Sequence, residues 1–199
     1  VNVNGTLNLI DSLNKKKIKP KWLFYASTSH VYKISYKSTK ISEKFTATPQ
    51  NKYGKTKLMA EKYLIQKLNI KICIGRIFSF TDKNQKPPYV IPSIEKKIRL
   101  SKKEITLSNL NHFRDFLNVK DIVSAIDLLR KNNATGIYNI GTGNQFNLKT
   151  IATLIAKKFK KKINFVDSKK TTYLISNCKK ISKLNWKPKK FNMNLKYFY

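Results

Sequence analysis

Three side chains near the start of the chain have the types and spacing needed for proton transfer. Tyr53 and Lys57 are four residues apart on a predicted helix that Pro49 opens, so they share one helical face. A free phenol has a pKa of about 10, and a neighbouring ammonium lowers the pKa of a phenol because it stabilises the phenolate. Such a phenol can exchange a proton with an alcohol or carbonyl oxygen. Thr28, at the end of a predicted strand, can hold the same oxygen by a hydrogen bond.

The same lysine has a second possible task. In an enzyme that uses a nicotinamide cofactor, Lys57 can hydrogen-bond the ribose hydroxyls and so position the hydride carrier. A single Tyr-x-x-x-Lys is weak evidence, because a polar helical face in a lysine-rich chain also contains such pairs. The remainder of the sequence must therefore decide between chemistry and an ordinary helix surface.

The predicted elements alternate between strands and helices. We predict helices over residues 1–17, 49–68, 89–100, 119–131, 147–159 and 178–184. We predict strands over residues 21–29, 70–80, 103–107, 112–119, 135–143 and 162–167, the fifth ending in a glycine turn, and polar loops over 33–48 and 81–88. This alternation predicts βαβ units and a largely parallel sheet covered on both faces.

Ligands of parallel sheets bind beyond the carboxyl ends of the strands. In this chain the residues at those ends are 28–32, 79–81 and 141–143. The second helix needs an apolar face to pack behind them, and its candidate core residues are Leu58, Met59, Tyr63, Leu64 and Ile65.

The charge of the chain invites a nucleic-acid interpretation. The sequence has 42 basic and ten acidic residues and a net charge of +32. Only four of the basic residues are arginines, the residue that phosphate and groove readers favour, and the lysines are spread along the whole chain. We therefore expect a solvated lysine surface and no nucleic-acid partner, although the charge should attract polyanions at low salt.

Metal, disulfide and membrane features are absent from the sequence. Cys73 and Cys178 form no CxxC pattern, and His30 and His112 have no cluster of ligands around them. No run of 18 apolar residues and no signal peptide is found. We expect a soluble, cytoplasmic protein without a metal or a membrane partner.

Seven blocks in order along the chain carry a resemblance to a known family. The blocks are NVNGTLNLI (2–10), YASTSHVY (25–32), YGKTK (53–57), GRIFSF (75–80), HFRDFLNVKDIVSAI (112–126), GIYNIGTG (136–143) and SNCKKISKLNWKP (176–188). They resemble the extended short-chain dehydrogenase/reductases, the NAD(P)-dependent epimerase/dehydratase family of nucleotide-sugar enzymes. Within that family the fifth block is most similar to GDP-4-keto-6-deoxy-mannose reductases, and the second to GDP-mannose 4,6-dehydratases.

The resemblance implies an α/β fold: the C-terminal portion of a Rossmann-like parallel sheet, incomplete, with a small α/β substrate-binding subdomain. Residues 1–80 are then a partial dinucleotide-binding domain that carries the Tyr-x-x-x-Lys. Residues 81–199 are mainly the substrate-binding subdomain, and residues 113–145 return a strand and a helix to the sheet. The family also implies a possible homodimer through the helices that begin near residues 1 and 49.

The resemblance further implies hydride exchange at C4 of a nucleotide-diphosphate sugar, as a 4-keto reductase or a 4-epimerase. The implied catalytic residues are Thr28, Tyr53 and Lys57. The implied contacts to NAD or NADP are Asn2, Ser27, Tyr53, Lys57 and Ile77, and those to the substrate are Thr28, Ser29, His30, Ser79 and Arg114.

Several positions depart from the family pattern. His30 stands where the dehydratases have a glutamate, which speaks against dehydration, and Ile77 and Ser79 stand where the family has proline and asparagine. The family's Gly-x-x-Gly-x-x-Gly turn, which cradles the pyrophosphate, is absent from the 199 residues. We expect it in roughly 80 to 100 further residues upstream, as a two-half dinucleotide fold requires. The alternative is an inactive truncated fragment or pseudoenzyme that no longer binds the dinucleotide.

Overall fold

The structure is a computed structural model that describes residues 1–167 and 170–189. Residues 168–169 and 190–199 of the predicted substrate-binding subdomain lie outside this description. The described helices are α1 (Asn2–Lys15), α2 (Lys52–Lys67), α3 (Val90–Leu100), α4 (Val119–Lys131), α5 (Leu148–Lys158) and α6 (Lys179–Ser182). The described strands are β1 (Leu23–Thr28), β2 (Lys40–Ile41), β3 (Ile72–Ile77), β4 (Ser79–Thr81), β5 (Glu104–Ser108), β6 (His112–Arg114), β7 (Phe116–Asn118), β8 (Gly136–Ile140), β9 (Phe146–Asn147), β10 (Lys162–Val166) and β11 (Thr172–Ser176).

The main sheet is parallel, as the sequence predicted. Its strand order is β1–β3–β8, with β3 in the centre. A central parallel strand is covered on both faces, which explains why β3 reads as a continuous apolar run and is buried along almost its whole length. Within the described residues, β1 pairs with another strand on one side only.

Helices cover both faces of this sheet. On one face, Ile10 of α1 and Leu64 of α2 pack against Ile72 and Ile74 of β3. On the other face, α4 and α6 pack against the sheet in a second cluster that contains Cys73, Ile122, Leu129, Ile140 and Trp186. The burial of Cys73 confirms its prediction as a small core residue.

The predicted core face of α2 was partly wrong. Leu64 is buried, but Met59 and Ile65 are 44% and 56% exposed. The buried positions are instead Ala60 and Glu61, with Leu64 one turn later. Met59 and Ile65 lie on the outer side of the helix because only residues spaced three or four apart from Leu64 can face the sheet. An apolar residue type alone did not reveal this rotation.

A second group of elements forms its own apolar cluster. Strands β5 and β10 pair in parallel, and α3 and α5 pack over them around Ile94, Ile98, Ile151 and Ile155. A further four-stranded sheet has the order β2–β11–β6–β9. The sequence did not predict β2, which has only two residues, or β11, whose pairing partners are distant in sequence. The single strand predicted over 112–119 is divided in two at Asp115.

Gly75 in the middle of β3 generates a prediction about packing. A Cβ at this position would lie 2.4 Å from Cζ of Phe24 and 2.9 Å from Cδ1 of Ile140. We expect Gly75→Ala to lower the free energy of unfolding by about 1–3 kcal/mol, because the added methyl group overpacks the core of the sheet. Chemical denaturation measures this loss. The control is Gly5→Ala in α1, which has no atom within 4 Å of the added Cβ and should not destabilise the fold. Equal effects of both changes would contradict the packing account.

Candidate active site

The ends of two of the three parallel strands, β1 and β3, open into one cavity. Thr28 at the end of β1 pairs in register with Ile77 at the end of β3, and Ile77 pairs with Ile140 at the end of β8. The cavity above this edge has a volume of about 690 Å³. Eight of the ten predicted site residues line it, namely Ser27, Thr28, Ser29, His30, Tyr53, Lys57, Ile77 and Ser79.

The start of α2 is fixed by a side-chain cap. The Oδ1 atom of Asn51 accepts a hydrogen bond of 2.7 Å from the backbone N–H of Gly54. The amide nitrogen of Asn51 lies 3.4 Å from Nδ1 of His30. An amide nitrogen only donates, so this contact needs an unprotonated Nδ1. Asn51 therefore ties the first turn of α2 to the turn that follows β1.

Tyr53 lies in the first turn of α2 and is 49% exposed, with its ring at the cavity wall. The ring meets that of His30 edge-on, with 6.1 Å between the ring centroids. A half-exposed phenol at a cavity wall is accessible to a ligand oxygen. This position suits proton exchange with a bound alcohol or carbonyl group.

Lys57 is held one helical turn further along. Its Nζ donates a hydrogen bond of 2.8 Å to the carbonyl oxygen of Ala26 and lies 4.9 Å from the centroid of the Tyr25 ring. Burial lowers the pKa of Lys57 below its ordinary value, and the carboxylate of Glu61 opposes this shift. The two contacts hold the ammonium group at the cavity edge.

Thr28 is buried, and its Oγ1 accepts a hydrogen bond of 3.3 Å from the backbone N–H of His30. This bond uses a lone pair of the hydroxyl oxygen, so the hydroxyl hydrogen can still be donated into the cavity. The sequence predicted this role for the strand end from residue type and position alone.

Two predicted site residues do not line the cavity. Asn2 of α1 donates a hydrogen bond of 3.2 Å to Thr56, which joins α1 to α2 next to Lys57. Arg114 of β6 donates to the carbonyl oxygen of Phe113 at 2.8 Å and to Thr172. Asn2 and Arg114 are therefore not among the predicted residues that the cavity brings together.

Arg114 is a desolvated cation. Burial lowers the pKa of Arg114 to about 10. Asp115 and Asp121 are close to Arg114 in sequence, but within the described residues neither forms an ion pair with it. Asp115 accepts hydrogen bonds from Thr142 at 2.8 Å and from Gly143 at 2.9 Å instead. A partly buried guanidinium without a carboxylate partner among residues 1–167 and 170–189 suits an anionic ligand.

Sequence reasoning missed part of the site. The cavity is also lined by Phe80 and Phe116, which lie in two of the family blocks but had no assigned role, and by Gln85, Pro88 and Tyr89, which no motif marks. Sequence reasoning also missed Glu61, which is 2% exposed and forms a buried ion pair with Arg76 at 2.7 Å. The available signal was a carboxylate four residues after Lys57, on the helical face that must meet the sheet.

Residues 1–167 and 170–189 contain neither a metal-binding cluster nor a membrane-spanning helix. No three histidine, cysteine or acidic side chains in these ranges come close enough together to hold a metal ion. In the same ranges, no helix has the length and apolar content to cross a bilayer.

Comparison with known proteins identifies relatives along nearly the whole chain. The family model described as GDP-mannose 4,6 dehydratase matches residues 1–195. The chain is 27% identical over 165 residues to the GDP-6-deoxy-D-mannose reductase of Pseudomonas aeruginosa, a match that covers 78% of this chain and 54% of that protein. The chain thus spans about half the length of this curated relative.

Solved structures show the same fold. The structure described as RMD from Pseudomonas aeruginosa complexed with NADPH has a TM-score of 0.85 at 21% identity, and the match covers 100% of this chain and 71% of that one. A UDP-glucuronic acid 4-epimerase from Bacillus cereus, in complex with UDP-glucuronic acid and NAD, has a TM-score of 0.83 at 26% identity, covering 100% and 66%. These neighbours confirm the predicted α/β, Rossmann-like fold class.

Gly54 generates a prediction about the approach of α2 to the strand end. A Cβ at this position would lie 2.1 Å from the carbonyl oxygen of His30 and 3.0 Å from Cβ of Pro49. Alanine normally favours a helix over glycine. We nevertheless expect Gly54→Ala to lower the free energy of unfolding by about 1–3 kcal/mol, because the backbone at His30 must move. Urea denaturation measures this loss, and Lys55→Ala on the exposed side is the control. An unchanged or raised stability of Gly54→Ala would contradict the contact.

His30 generates a prediction about pH. Burial and the charge of Arg114 both lower the pKa of His30 below its ordinary value. The unfolded state then binds the proton more readily, so the contribution of His30 to stability is present above about pH 6.5 and is lost as the pH falls below it. We expect wild type to lose stability relative to His30→Gln between pH 7.5 and pH 5.5, measured by urea denaturation at both values. If the stability of wild type relative to His30→Gln were unchanged or higher at pH 5.5, folding would not lower the pKa of His30.

Proposed function

Because the chain belongs to the GDP-mannose 4,6-dehydratase family, we propose that it is part of an NAD(P)-dependent oxidoreductase that exchanges a hydride at C4 of a nucleotide-diphosphate sugar. The net reaction is a 4-keto reduction or a 4-epimerisation. The observation that carries this proposal is the shared cavity: Thr28, Tyr53 and Lys57 lie along one wall of it, at the carboxyl edge of a parallel sheet.

Each of the three residues has a distinct task in this proposal. Tyr53 gives its hydroxyl proton to O4 of the sugar as the carbonyl becomes an alcohol, and takes it back in the reverse direction. The ammonium of Lys57 stabilises the phenolate that remains after the transfer. Thr28 donates its free hydroxyl hydrogen to the same sugar oxygen, which fixes the oxygen against Tyr53.

The residues present fit a nicotinamide dinucleotide. Ser27, Tyr53 and Lys57 all line the cavity and offer a hydroxyl oxygen, a phenol and an ammonium, groups suited to the hydroxyls and the carboxamide of the cofactor. Ile77 gives this wall an apolar surface for a ring, and Asn2 fixes α1 beside Lys57 through Thr56. When bound, the cofactor supplies or accepts the hydride at C4.

The sugar nucleotide is assigned to the other side of the cavity. Ser29, His30 and Ser79 line that side, and a neutral His30 suits a polar, uncharged sugar. His30 offers no carboxylate, which favours reduction or epimerisation over dehydration. Arg114, desolvated and without a carboxylate partner in the described residues, is assigned to the diphosphate. In this division residues 1–80 hold the cofactor, and residues 81–199 mainly hold the substrate, with 113–145 returning to the sheet.

We also assign the protein to the cytoplasm, where nucleotide sugars are substrates, and propose a homodimer through α1 and α2. The support for the dimer is the apolar outer surface of these helices, because Leu9 of α1 and Met59 and Ile65 of α2 are 48%, 44% and 56% exposed. Sedimentation equilibrium of wild type against Ile65→Lys distinguishes a dimer through this surface from a monomer.

The phenol of Tyr53 is the most direct target for testing the proposal. We expect Tyr53→Phe in the intact protein to lower turnover by about 10²- to 10⁴-fold, because the proton donor is lost. Affinity for the nucleotide sugar should be largely retained, because the ring that shapes the cavity remains. Oxidation of NADPH with a 4-keto nucleotide sugar measures turnover, and calorimetry measures affinity. Tyr63→Phe on the same helix, outside the cavity lining, is the matched control and should retain activity.

Retained turnover in Tyr53→Phe would refute the assignment of the acid/base. A titration of wild type with NAD(H) separates a second possibility, an inactive remnant or pseudoenzyme. A saturable binding curve supports the enzyme, whereas absence of binding together with absence of turnover supports the remnant.

A further inference from the structure

Glu61 is a buried charge that the proposed chemistry does not use. It is 2% exposed, and its carboxylate receives two hydrogen bonds from Arg76, at 2.7 Å from Nη2 and at 3.2 Å from Nε. The Arg76 side chain is 5% exposed. Removing two charges from water costs several kcal/mol per ion, so such a pair contributes little net stability compared with an apolar pair. The position of Glu61 next to Ser27 and Lys57 suggests that the ion pair has a role other than stability.

The first reason is the hydroxyl of Ser27. Ser27 is buried and donates its hydroxyl hydrogen to Oε1 of Glu61. An ionised carboxylate can only accept, so the direction of this hydrogen bond is fixed. Ser27 also lines the cavity, and it therefore presents only lone pairs there. It can accept a hydrogen bond from an amide N–H or a hydroxyl of a ligand and cannot donate one.

The second reason is the ammonium of Lys57. Glu61 follows Lys57 by four residues on α2, so the two side chains are neighbours on one helical face. The carboxylate raises the pKa of Lys57 against the effect of burial. A protonated Lys57 keeps its charge at the cavity edge, where it donates to the Ala26 carbonyl.

The ion pair also joins α2 to all three strands of the main sheet. Ser27 of β1 is the register partner of Arg76 of β3, which is the register partner of Asn139 of β8. The guanidinium of Arg76 lies 4.8 Å from the centroid of the Tyr32 ring, and the hydroxyl of Tyr32 donates to Asn139 at 2.8 Å. This row lies one residue before the last residues of the three strands, two of which, Thr28 and Ile77, line the cavity.

We infer that Glu61 is a positioning residue of the site: it holds Ser27 as a hydrogen-bond acceptor toward the cofactor's amide or hydroxyl groups and places a carboxylate one helical turn from the ammonium of Lys57. This assignment of a role rests on the proposed function, but its electrostatic part does not need a bound cofactor. Glu61 itself does not reach the cavity lining and takes no part in proton transfer.

The test measures the titration of Lys57 without any ligand. Competitive acetylation over a range of pH values, read by mass spectrometry, gives the reactivity of Lys57 relative to the other lysines of the same molecule. In Glu61→Gln we expect the pKa of Lys57 to fall, because the carboxylate that favours its ammonium form is lost, and we expect its acetylation to become about threefold faster at a fixed pH below the pKa. Asp127→Asn is the matched control, because it neutralises a surface carboxylate on α4 and should leave Lys57 unchanged.

A second variant guards against misfolding of the first. Glu61→Gln leaves Arg76 charged and buried, so Glu61→Met with Arg76→Met is measured beside it, because an apolar pair of similar size often preserves a fold. Circular dichroism checks both. An unchanged titration of Lys57 in the folded variants would overturn the inference.

Cofactor binding tests the role of Ser27. We expect Ser27→Ala and Glu61→Gln each to weaken NADPH binding by about tenfold, and the double variant to lose little more than either. Ser27→Ala deletes the acceptor, and Glu61→Gln removes the carboxylate that fixes the direction of the Ser27 hydroxyl, because a glutamine amide can donate as well as accept. Independent, additive losses would contradict the coupling. If wild type binds no NADPH, the proposed function fails, while the acetylation result still decides whether Glu61 controls Lys57.

Discussion

The rest of this structure depends on one constraint, which is that the three parallel strands of the main sheet end at the same level. Parallel register places Thr28, Ile77 and Ile140 side by side, so the segments that follow them share one edge of the sheet. The first turn of α2 then approaches this edge so closely that only a glycine fits, at Gly54 against the carbonyl of His30. The proposed chemistry needs both features, because in that proposal the strand end supplies the hydroxyl groups and the helix supplies the phenol and the ammonium.

The charged groups that matter to the proposed site are those partly or wholly removed from water. The sequence has 42 basic residues, yet most lysines lie in solvent, where screening makes single charges of little consequence. The site depends on the few that are desolvated, Lys57 at its edge and Arg114 nearby. The buried acids are equally few, and each has a structural partner. Glu61 binds Arg76, and Asp115 binds the backbone of the turn after β8.

Much of this was predictable from the sequence, and the exceptions have physical reasons. Apolar runs bounded by loops predicted β1, β3 and β8, and block order predicted the family, because both depend on local pattern. The placement of eight predicted residues along one cavity agrees with their prediction, while their roles stay predictions. The rotation of α2, which exposes Met59 and buries Glu61, was not predictable because it depends on how the helix meets the sheet. The short strand β11 was missed for the same reason: its pairing partners are distant in sequence.

The most direct test of the account follows the hydride itself. The intact protein is incubated with a 4-keto nucleotide sugar and NADPH that carries deuterium at the transferable position of the nicotinamide, and the sugar product is examined by NMR. We expect one deuterium at C4 of the product. A product without deuterium, or with deuterium at another carbon, would contradict hydride exchange at C4 beside Tyr53.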